Sequence, residues 1–541
     1  MPILPKDNHC CGCAACYNAC SHASIKMVQD FEGFYIPQVD ENTCTECKAC
    51  EQACPTLPFL NFTPYNEVRK VSQFPLILHA KFTDETGEGG GWWNSPHSDL
   101  KTSLNSSSQG SGENQALQSA NQNINDNNHS KFMDCHKNPN GFSRNDKLGL
   151  SFCFNKDRQS QNSLCFSPKL TRFTEPKALA LKAKDNDLRA NSSSGGAFSL
   201  IAEYVLNRGG VVFGAAFDEN LKVAHSFIEN PAQLDKLRRS KYVESFIGDT
   251  FKQARDFLKA GRIVLFSGVQ CQIHALNAFL RKPYSNLITL EVICNSVPSA
   301  KVWDIYKQSL EQELGEKLTS FNFRTKIFRW ENSALIAHTK TKQKIIEQNW
   351  DSPYIYNAWA THIITRKSCG NCYSKGFVSG ADLTLGDFWG IRAWHADFVD
   401  ELGVSCVLAH NQKALEILQN LSEKCEIQHT NLGIITLGNP TLLHSNGIHP
   451  QRDTILREFF RIYEVSKSAK KAVNYLATFM TNPSQMLEKT SFFRHYYLVY
   501  KNDPLRKTIS NFLKKSKKWL LTGLKSQKFT QNSNSKTKDK K

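Results

Sequence analysis

The chain has 541 residues, 22% charged and 40% hydrophobic, enough for three or four domains of about 150 residues with a sizeable core. That excludes a wholly disordered chain and a disulfide-stapled mini-protein, and no run of about 18 apolar residues marks a membrane channel. The net charge of +17 sits at the end: residues 501–541 hold 13 Lys or Arg against Asp503 and Asp539, leaving +6 for the first 500 residues and a weak case for nucleic-acid binding.

The chain starts MPILPKDNHCC, without the apolar h-region of a secretory signal, and reads as cytoplasmic. Nine of its 18 cysteines fall in the first 54 residues. In a reducing compartment such density points to metal rather than disulfides. The first run is Cys10-x2-Cys13-x2-Cys16-x3-Cys20 and the second Cys44-x2-Cys47-x2-Cys50-x3-Cys54-Pro55. Each has the spacing of a bacterial two-cluster ferredoxin. Three close thiolates hold three irons of one cubane, and the fourth lies too far round the loop and reaches the other cluster. One [4Fe-4S] cluster is therefore expected on Cys10, Cys13, Cys16 and Cys54, the other on Cys44, Cys47, Cys50 and Cys20. Zinc sites use paired knuckles, which two matched runs of four do not resemble. Cys11 is an extra cysteine that breaks the spacing if it replaces Cys10. Ser21 stands where the second run has proline. The module is expected to span 1–62.

Residues 61–81 carry only a short apolar run, 74–78. In 101–130, Ser, Asn and Gln make up 18 of 30 residues. Such a stretch buries too little apolar surface to offset its ordering entropy, so 82–167 reads as a disordered insertion. Its Cys135, Cys153 and Cys165 read as free thiols. Further on, 178–183 reads as a strand. Asn191-Ser-Ser-Ser-Gly-Gly196 is a turn opening a helix with Phe198, Ile201 and Val205 on one face, ended by Gly209-Gly210. Strands are expected at 211–217, 263–266, 287–293, 381–385 and 405–409, and helices at 249–260 and 301–314. Strands alternating with helices predict a mixed α/β domain over 173–430. Residues 450–500 are helical in pattern, with Ile455, Phe459 and Ile462 on one face. The expected fold class is thus mixed α/β (α+β): a ferredoxin-like two-cluster module, a mixed-sheet domain and a helical C-terminus.

Four body cysteines stand at informative places. Cys271 follows the strand 263–266 and Cys294 follows 287–293, and sites in open α/β sheets form beyond the carboxyl ends of strands. Cys369-Gly-Asn-Cys372 is a tight pair. Together they make four ligands for a third metal centre; the alternative is four buried free thiols.

The motifs Asn191-Ser-Ser-Ser-Gly-Gly, Arg239-Ser-Lys-Tyr242, Ser267-Gly-x-x-Cys271-Gln, Cys294-x-x-Val-Pro-Ser299, Cys369-x-x-Cys372 and Leu385-Gly-Asp-Phe-Trp-Gly390 occur in that order. Over 173–430 this resembles the beta subunit family of coenzyme F-420 hydrogenases and dehydrogenases, in which an upstream ferredoxin module is a frequent companion. The resemblance implies FAD beside a third [4Fe-4S] cluster held by Cys271, Cys294, Cys369 and Cys372. It implies electron exchange with a hydride-carrying partner: coenzyme F-420, a nicotinamide or an organic substrate. Relatives beside cell-surface polysaccharide genes add a sugar intermediate by analogy alone.

For the flavin, Ser192, Ser193, Ser194, Gly195 and Gly196 precede a helix, where backbone N–H groups can hold a pyrophosphate; the plain alternative is an N-cap turn. Lys241 suits a phosphate or a reduced, anionic flavin, or else is a solvated surface lysine. Ser267 and Gly268 lead to Cys271. Gly386 permits close backbone approach. Asp387 suits ribityl or ring atoms, or caps a turn. Trp389 or Phe388 stacks on the isoalloxazine, or packs in the core. No residue is assigned to catalysis. The chain departs from relatives at Val269-Gln270 (Thr-Pro there), at Asn295-Ser296 (His-Gly there) and at Arg239 (glycine there). The redox core is retained while the substrate edge has drifted.

Lys514-Lys-Ser-Lys-Lys518 followed by Trp519, Leu520, Leu521 and Leu524 suits an anionic membrane surface at about 1 kcal/mol per basic residue; the alternative is a solvated tail over 501–541. The leading reading is an iron–sulfur flavoprotein oxidoreductase, cytoplasmic or peripheral at the inner membrane face. Its electrons would come from a redox partner protein or reduced ferredoxin and pass to a small-molecule hydride acceptor, or flow back from a hydride donor, with no nucleic acid involved. The alternatives are a non-catalytic electron-transfer subunit and a zinc-containing interaction protein.

Overall fold

The computed structural model describes residues 2–5, 8–60, 172–327, 330–331, 333–347 and 352–479. The insertion 82–167 with Cys135, Cys153 and Cys165, the end of the segment 450–500 and the tail 501–541 lie outside the described residues.

The N-terminal module repeats one conformation twice. Strands β1 (Ile25–Gln29) and β2 (Tyr35–Val39) pair antiparallel between two short helices, Ala15–Ala19 and Ala49–Ala53. Gly12 and Ala14 around Cys13, and Glu46 and Lys48 around Cys47, all have φ between 55° and 68°. Left-handed residues on both sides of a cysteine curl the chain tightly enough to turn neighbouring thiols to one centre. The matched spacing of the two runs is therefore matched by backbone geometry.

The body is built on an eight-stranded sheet of order β13-β3-β12-β11-β7-β6-β4-β5. Its strands are β3 (Arg172–Ala183), β4 (Val211–Phe217), β5 (Val223–Ile228), β6 (Val264–Val269), β7 (Leu287–Val292), β11 (Leu383–Asp387), β12 (Ser405–Asn411) and β13 (Cys425–His429). The central four, β11, β7, β6 and β4, run parallel, and antiparallel strands close both sides. Side chains of β4 and β6 alternate between two buried faces. Val212 and Leu265 meet the helix Ala197–Leu206, while Val211, Phe213, Val264 and Phe266 meet the helices Thr250–Lys259 and Gln270–Leu280. Burial on both faces is why these strands read as unbroken apolar runs. The module packs on this second face: Cys13, Ala14, Ala15 and Ala53 join the same apolar cluster.

A second sheet, β8 (Ser320–Thr325), β9 (Ala334–His338) and β10 (Gln343–Glu347), has order β10-β9-β8. It shares a core with the helices Ala300–Leu314, Arg452–Ser466 and Ala469–Ala477, centred on Trp303 with Phe321, Phe323 and Tyr354 around it. The architecture is the expected mixed α/β. The helix Gln270–Leu280, strands β5 and β13 and the second sheet are additions that the sequence patterns do not predict. No helix among the described residues is long and apolar enough to cross a membrane.

Candidate functional site

Three groups of cysteines form, and their membership follows the spacing argument. Cys20, Cys44, Cys47 and Cys50 line one cavity, whose wall His22 and Ile25 complete. Cys47 is exposed, so this group reaches the surface.

Cys10, Cys13 and Cys16 are buried and each faces Cys54. Burial pushes the Cys10 thiol up to about 12, opposed by Arg366 and reinforced by Cys11 and Cys54. Cys16 is raised by burial and then by Cys10 and Cys54. Three buried thiols and a half-buried fourth cannot ionise together in a low dielectric unless cationic metal neutralises them. This donor set therefore fits an iron–sulfur cluster.

The third group arises from sheet order. Strands β6 and β7 are parallel neighbours, so their carboxyl ends present Cys271 and Cys294 side by side. The turn Lys367–Asn371 brings Cys369 and then Cys372 to the same place. It is tied down by Arg366 N donating to Val297 O at 2.9 Å and Val297 N donating to Cys369 Sγ at 3.4 Å. Charge interactions join Cys271 to Cys294 and Cys372, and Cys369 to both. Burial raises Cys294 to about 11 and holds Cys369 well above the usual thiol range. Beside them, the side-chain nitrogen Nε2 of Gln270 is buried with no partner among the described residues. Lys375 Nζ donates to Gln270 Oε1 at 2.9 Å and to Cys294 O at 2.5 Å. That holds the amide by its oxygen, in the residue next to Cys271, and leaves its nitrogen as an unused buried donor. The residues fit the group. Among the described residues no three Cys, His, Asp or Glu side chains converge as a single ion requires.

Cys11 joins two of the groups. Its thiol lies within the electrostatic reach of Cys13 on one side and Cys271 on the other, and its sulfur accepts from the Tyr373 hydroxyl at 2.7 Å.

The expected flavin residues divide. Ser192 Oγ donates inward to Leu188 O at 2.8 Å, Ser194 Oγ donates to Val404 O at 2.7 Å, and Gly196 is the helix N-cap. A Cβ on Gly195 would lie 2.2 Å from Leu181 O and 2.5 Å from Ser405 N, so that glycine serves strand packing. Ser193 faces the next motif: its Oγ accepts from Ser240 N at 3.0 Å. Lys241 is not a solvated surface lysine. Its Nζ donates to the carbonyls of Arg238 at 2.7 Å and Lys236 at 3.1 Å, and burial pushes its pKa down to about 7. Ser267 Oγ donates to Phe213 O at 2.9 Å. Gly268 lies beside Gln272 and His225. His225 Nε2 donates to Ser267 O at 3.1 Å, and Nδ1 accepts from Ser245 Oγ at 2.7 Å. Burial lowers this imidazole to about 4, so it stays neutral.

Arg324, on β8, ties several motifs together. It donates to Asp387 at 2.7 Å, to Tyr242 Oη at 3.3 Å and to Ser193 O at 3.4 Å. Its guanidinium stands 5.9 Å from the Trp389 ring, which stacks on Trp330 at 5.2 Å. Lys326 Nζ donates to Ser194 O and Leu402 O, both at 2.6 Å, and burial lowers it to about 7. In this cradle at the Ser-Gly loop Lys241 and Lys326 direct their donors to backbone carbonyls, and Arg324, paired with Asp387, keeps a buried Nε without a partner among the described residues. Such a cradle suits an anionic group. Phe388 is fully buried in the core, and Gly386 packs on Ile293. Arg324, Lys326 and His225 carry no sequence signal, because each is a single polar residue in an ordinary strand.

A thiol-rich module docked on an α/β body, with a third thiol group at its strand ends, defines an iron–sulfur redox protein of the oxidoreductase class. Residues 9–57 match the 4Fe-4S dicluster domain, and residues 261–433 match the C-terminal domain of the beta subunit of coenzyme F-420 hydrogenase/dehydrogenase, the family that the motifs resemble. Among curated proteins none matches the chain. Twelve chains of solved structures match. One, from the F-420-reducing [NiFe] hydrogenase complex of Methanosarcina barkeri, is 16% identical, covers 58% of this chain and 94% of its own, and has a TM-score of 0.35.

Proposed function

We propose that the chain relays electrons from the module, 1–62, into the body, 173–430, and there reduces or oxidises a hydride-carrying small molecule. The observation that carries this is the row of cysteine groups. Cys20, Cys44, Cys47 and Cys50 open to the surface, Cys10, Cys13, Cys16 and Cys54 lie inward, and the Cys11 thiol interacts electrostatically with both Cys13 and Cys271. The three groups would hold three [4Fe-4S] clusters, and the cradle around Lys241, Arg324 and Asp387 would hold FAD. When bound, the clusters supply one-electron steps and the flavin converts them to two-electron hydride chemistry. Arg324, through its unpartnered Nε, would orient an anionic part of the flavin, Lys241 would hold the backbone at Lys236–Arg239 beside it, and neutral His225 would support the backbone at Ser267. The group of Cys20, Cys44, Cys47 and Cys50, with Cys47 exposed, suits a redox partner protein or reduced ferredoxin. Coenzyme F-420, a nicotinamide or an organic substrate such as a sugar intermediate is the hydride partner. The cytoplasm, with membrane contact through the tail, is the proposed location.

Anaerobic purification followed by iron, sulfide and flavin counts tests the reading. About 12 irons with one flavin per chain is the expected result. About 8 irons without flavin would overturn the enzyme and leave an electron-transfer subunit. Replacing Gln270→Leu removes the buried donor beside Cys271. The third cluster is expected to become harder to reduce by roughly tenfold, about 59 mV for a one-electron couple, in an EPR-monitored titration. An unchanged potential would mean that the amide makes no bond to the cluster.

A further inference from the structure

We infer that the buried pair Arg366–Glu244 sets the reduction potential at the junction of the first and third clusters, in addition to fastening the module to the body. The inference rests on the cluster assignment proposed above.

Both residues belong to the body, yet they bond mainly to the module. Arg366 Nη1 donates to Cys10 O at 3.0 Å, and Nη2 donates to Tyr35 O at 2.9 Å and to Glu244 Oε1. Glu244 Oε2 in turn accepts from Tyr35 N at 3.2 Å. The two side chains are 3% and 5% exposed. The loop of the first thiol group wraps them closely: a Cβ on Gly12 would lie 2.6 Å from both Arg366 Nη2 and Glu244 Oε1. On its other side Arg366 opens the turn of the third group, where Cys369 N donates to Arg366 O at 3.0 Å. The guanidinium thus acts on Cys10, Cys11 and Cys369 together. Its Nε is buried with no partner among the described residues, although every other polar group of the pair is engaged.

The ion pair lies within the body and reaches the module only through hydrogen bonds to Cys10 and Tyr35, while its burial carries a desolvation cost that offsets most of the attraction. Apolar contact already joins the module to the body through Cys13, Ala14, Ala15 and Ala53. Charge at this place has a second effect. Reduction adds one negative charge to a cluster, and cluster potential follows nearby charge and hydrogen bonds to sulfur. The cation favours the reduced form, the carboxylate opposes it, and the unpartnered Nε–H is a donor for a sulfur. The pair therefore acts as a two-sided setting of the potential where electrons cross from module to body.

The test compares Arg366→Gln and Glu244→Gln in the full chain, assembled anaerobically, by EPR-monitored redox titration. Both variants break the ion pair, so fastening alone predicts weaker docking in both and no opposed shifts. The inference predicts opposite signs. Arg366→Gln lowers, and Glu244→Gln raises, the midpoint potential of a cluster at the junction by at least tenfold in its reduction equilibrium, about 59 mV for a one-electron couple. The cluster on Cys20, Cys44, Cys47 and Cys50 serves as the unshifted reference. Shifts of one sign, or no shift with all clusters assembled, overturn the inference. If Arg366→Gln does not assemble its clusters, Glu244→Gln against wild type decides on sign alone, and a fall or no change overturns it. Absence of cubane signals from the wild-type chain would instead mean that the cluster assignment itself had failed.

Discussion

Replacing Cys369→Ser is expected to lower the iron content from about 12 to about 8 per chain and to stop electrons fed into the module from reaching the body. Cys369 sits in a turn pinned to Val297 from both sides of the peptide chain. The substitution loses the bond from Val297 N to the sulfur, but Arg366 N to Val297 O and Cys369 N to Arg366 O do not involve the thiol and keep the turn in place. A serine hydroxyl is a harder, less acidic donor than a thiol, and soft iron–sulfur clusters discriminate against it. The module lies outside the substituted turn and keeps its eight expected ligands. Cys406→Ser and Cys425→Ser are the controls. Both cysteines are buried in the apolar body, Cys406 with its sulfur 3.5 Å from Asp387 O and Cys425 with its sulfur 3.1 Å from Leu421 O. Their replacement leaves the iron count unchanged. A full complement of iron in Cys369→Ser would remove that residue from the ligand set.

Gly195→Ala is expected to cost about 3 kcal/mol or more of stability, measured as a fall in the thermal midpoint. The glycine lies directly over the paired residues Leu181 and Ser405 of β3 and β12, and its own carbonyl accepts from Ala183 N at 2.8 Å. The added methyl would meet backbone atoms at 2.2 and 2.5 Å. Backbone in a paired sheet cannot yield as the tip of a side chain can, so relief requires moving the whole turn off the sheet. Ser193→Ala in the same turn removes a hydroxyl bonded to Ser240 N and should cost about 1 kcal/mol. Its effect falls on flavin content if the loop faces the cofactor. Wild-type stability of Gly195→Ala with reduced flavin content would return Gly195 to a direct cofactor role.

These contrasts follow from the range over which each feature is written in the chain. Ligand runs such as Cys10 to Cys20 and Cys44 to Cys54 are local, because a few residues must curl round one centre. Spacing alone therefore separated the two module groups and predicted the exchange of Cys20 and Cys54. Strands β4, β6 and β7 were legible for a related reason: burial on both faces favours short runs of mostly apolar residues, with polar exceptions at Ser267, Thr289 and Glu291. The six ordered motifs pointed to the family, whose domain spans 261–433.

The rest depended on contacts between distant segments. The edge strands and the second sheet are partly exposed, so their apolar pattern is diluted. Lys241 read as a partner for a phosphate or reduced flavin, or else as a solvated lysine; the carbonyls three and five residues upstream that its Nζ engages carried no signal. Gly195 looked like part of a phosphate turn, but the atoms that require a glycine belong to β3 and β12. Arg324, Arg366 and Glu244 have no motif, since one charged residue carries no periodicity. Their meaning comes from partners 63, 356 and 209 positions away, at Asp387, Cys10 and Tyr35. Covalent spacing specifies which thiols share a centre. Burial of charge depends on which surfaces fold together, so the junction between the clusters and the cradle around Arg324 exist only in the folded chain.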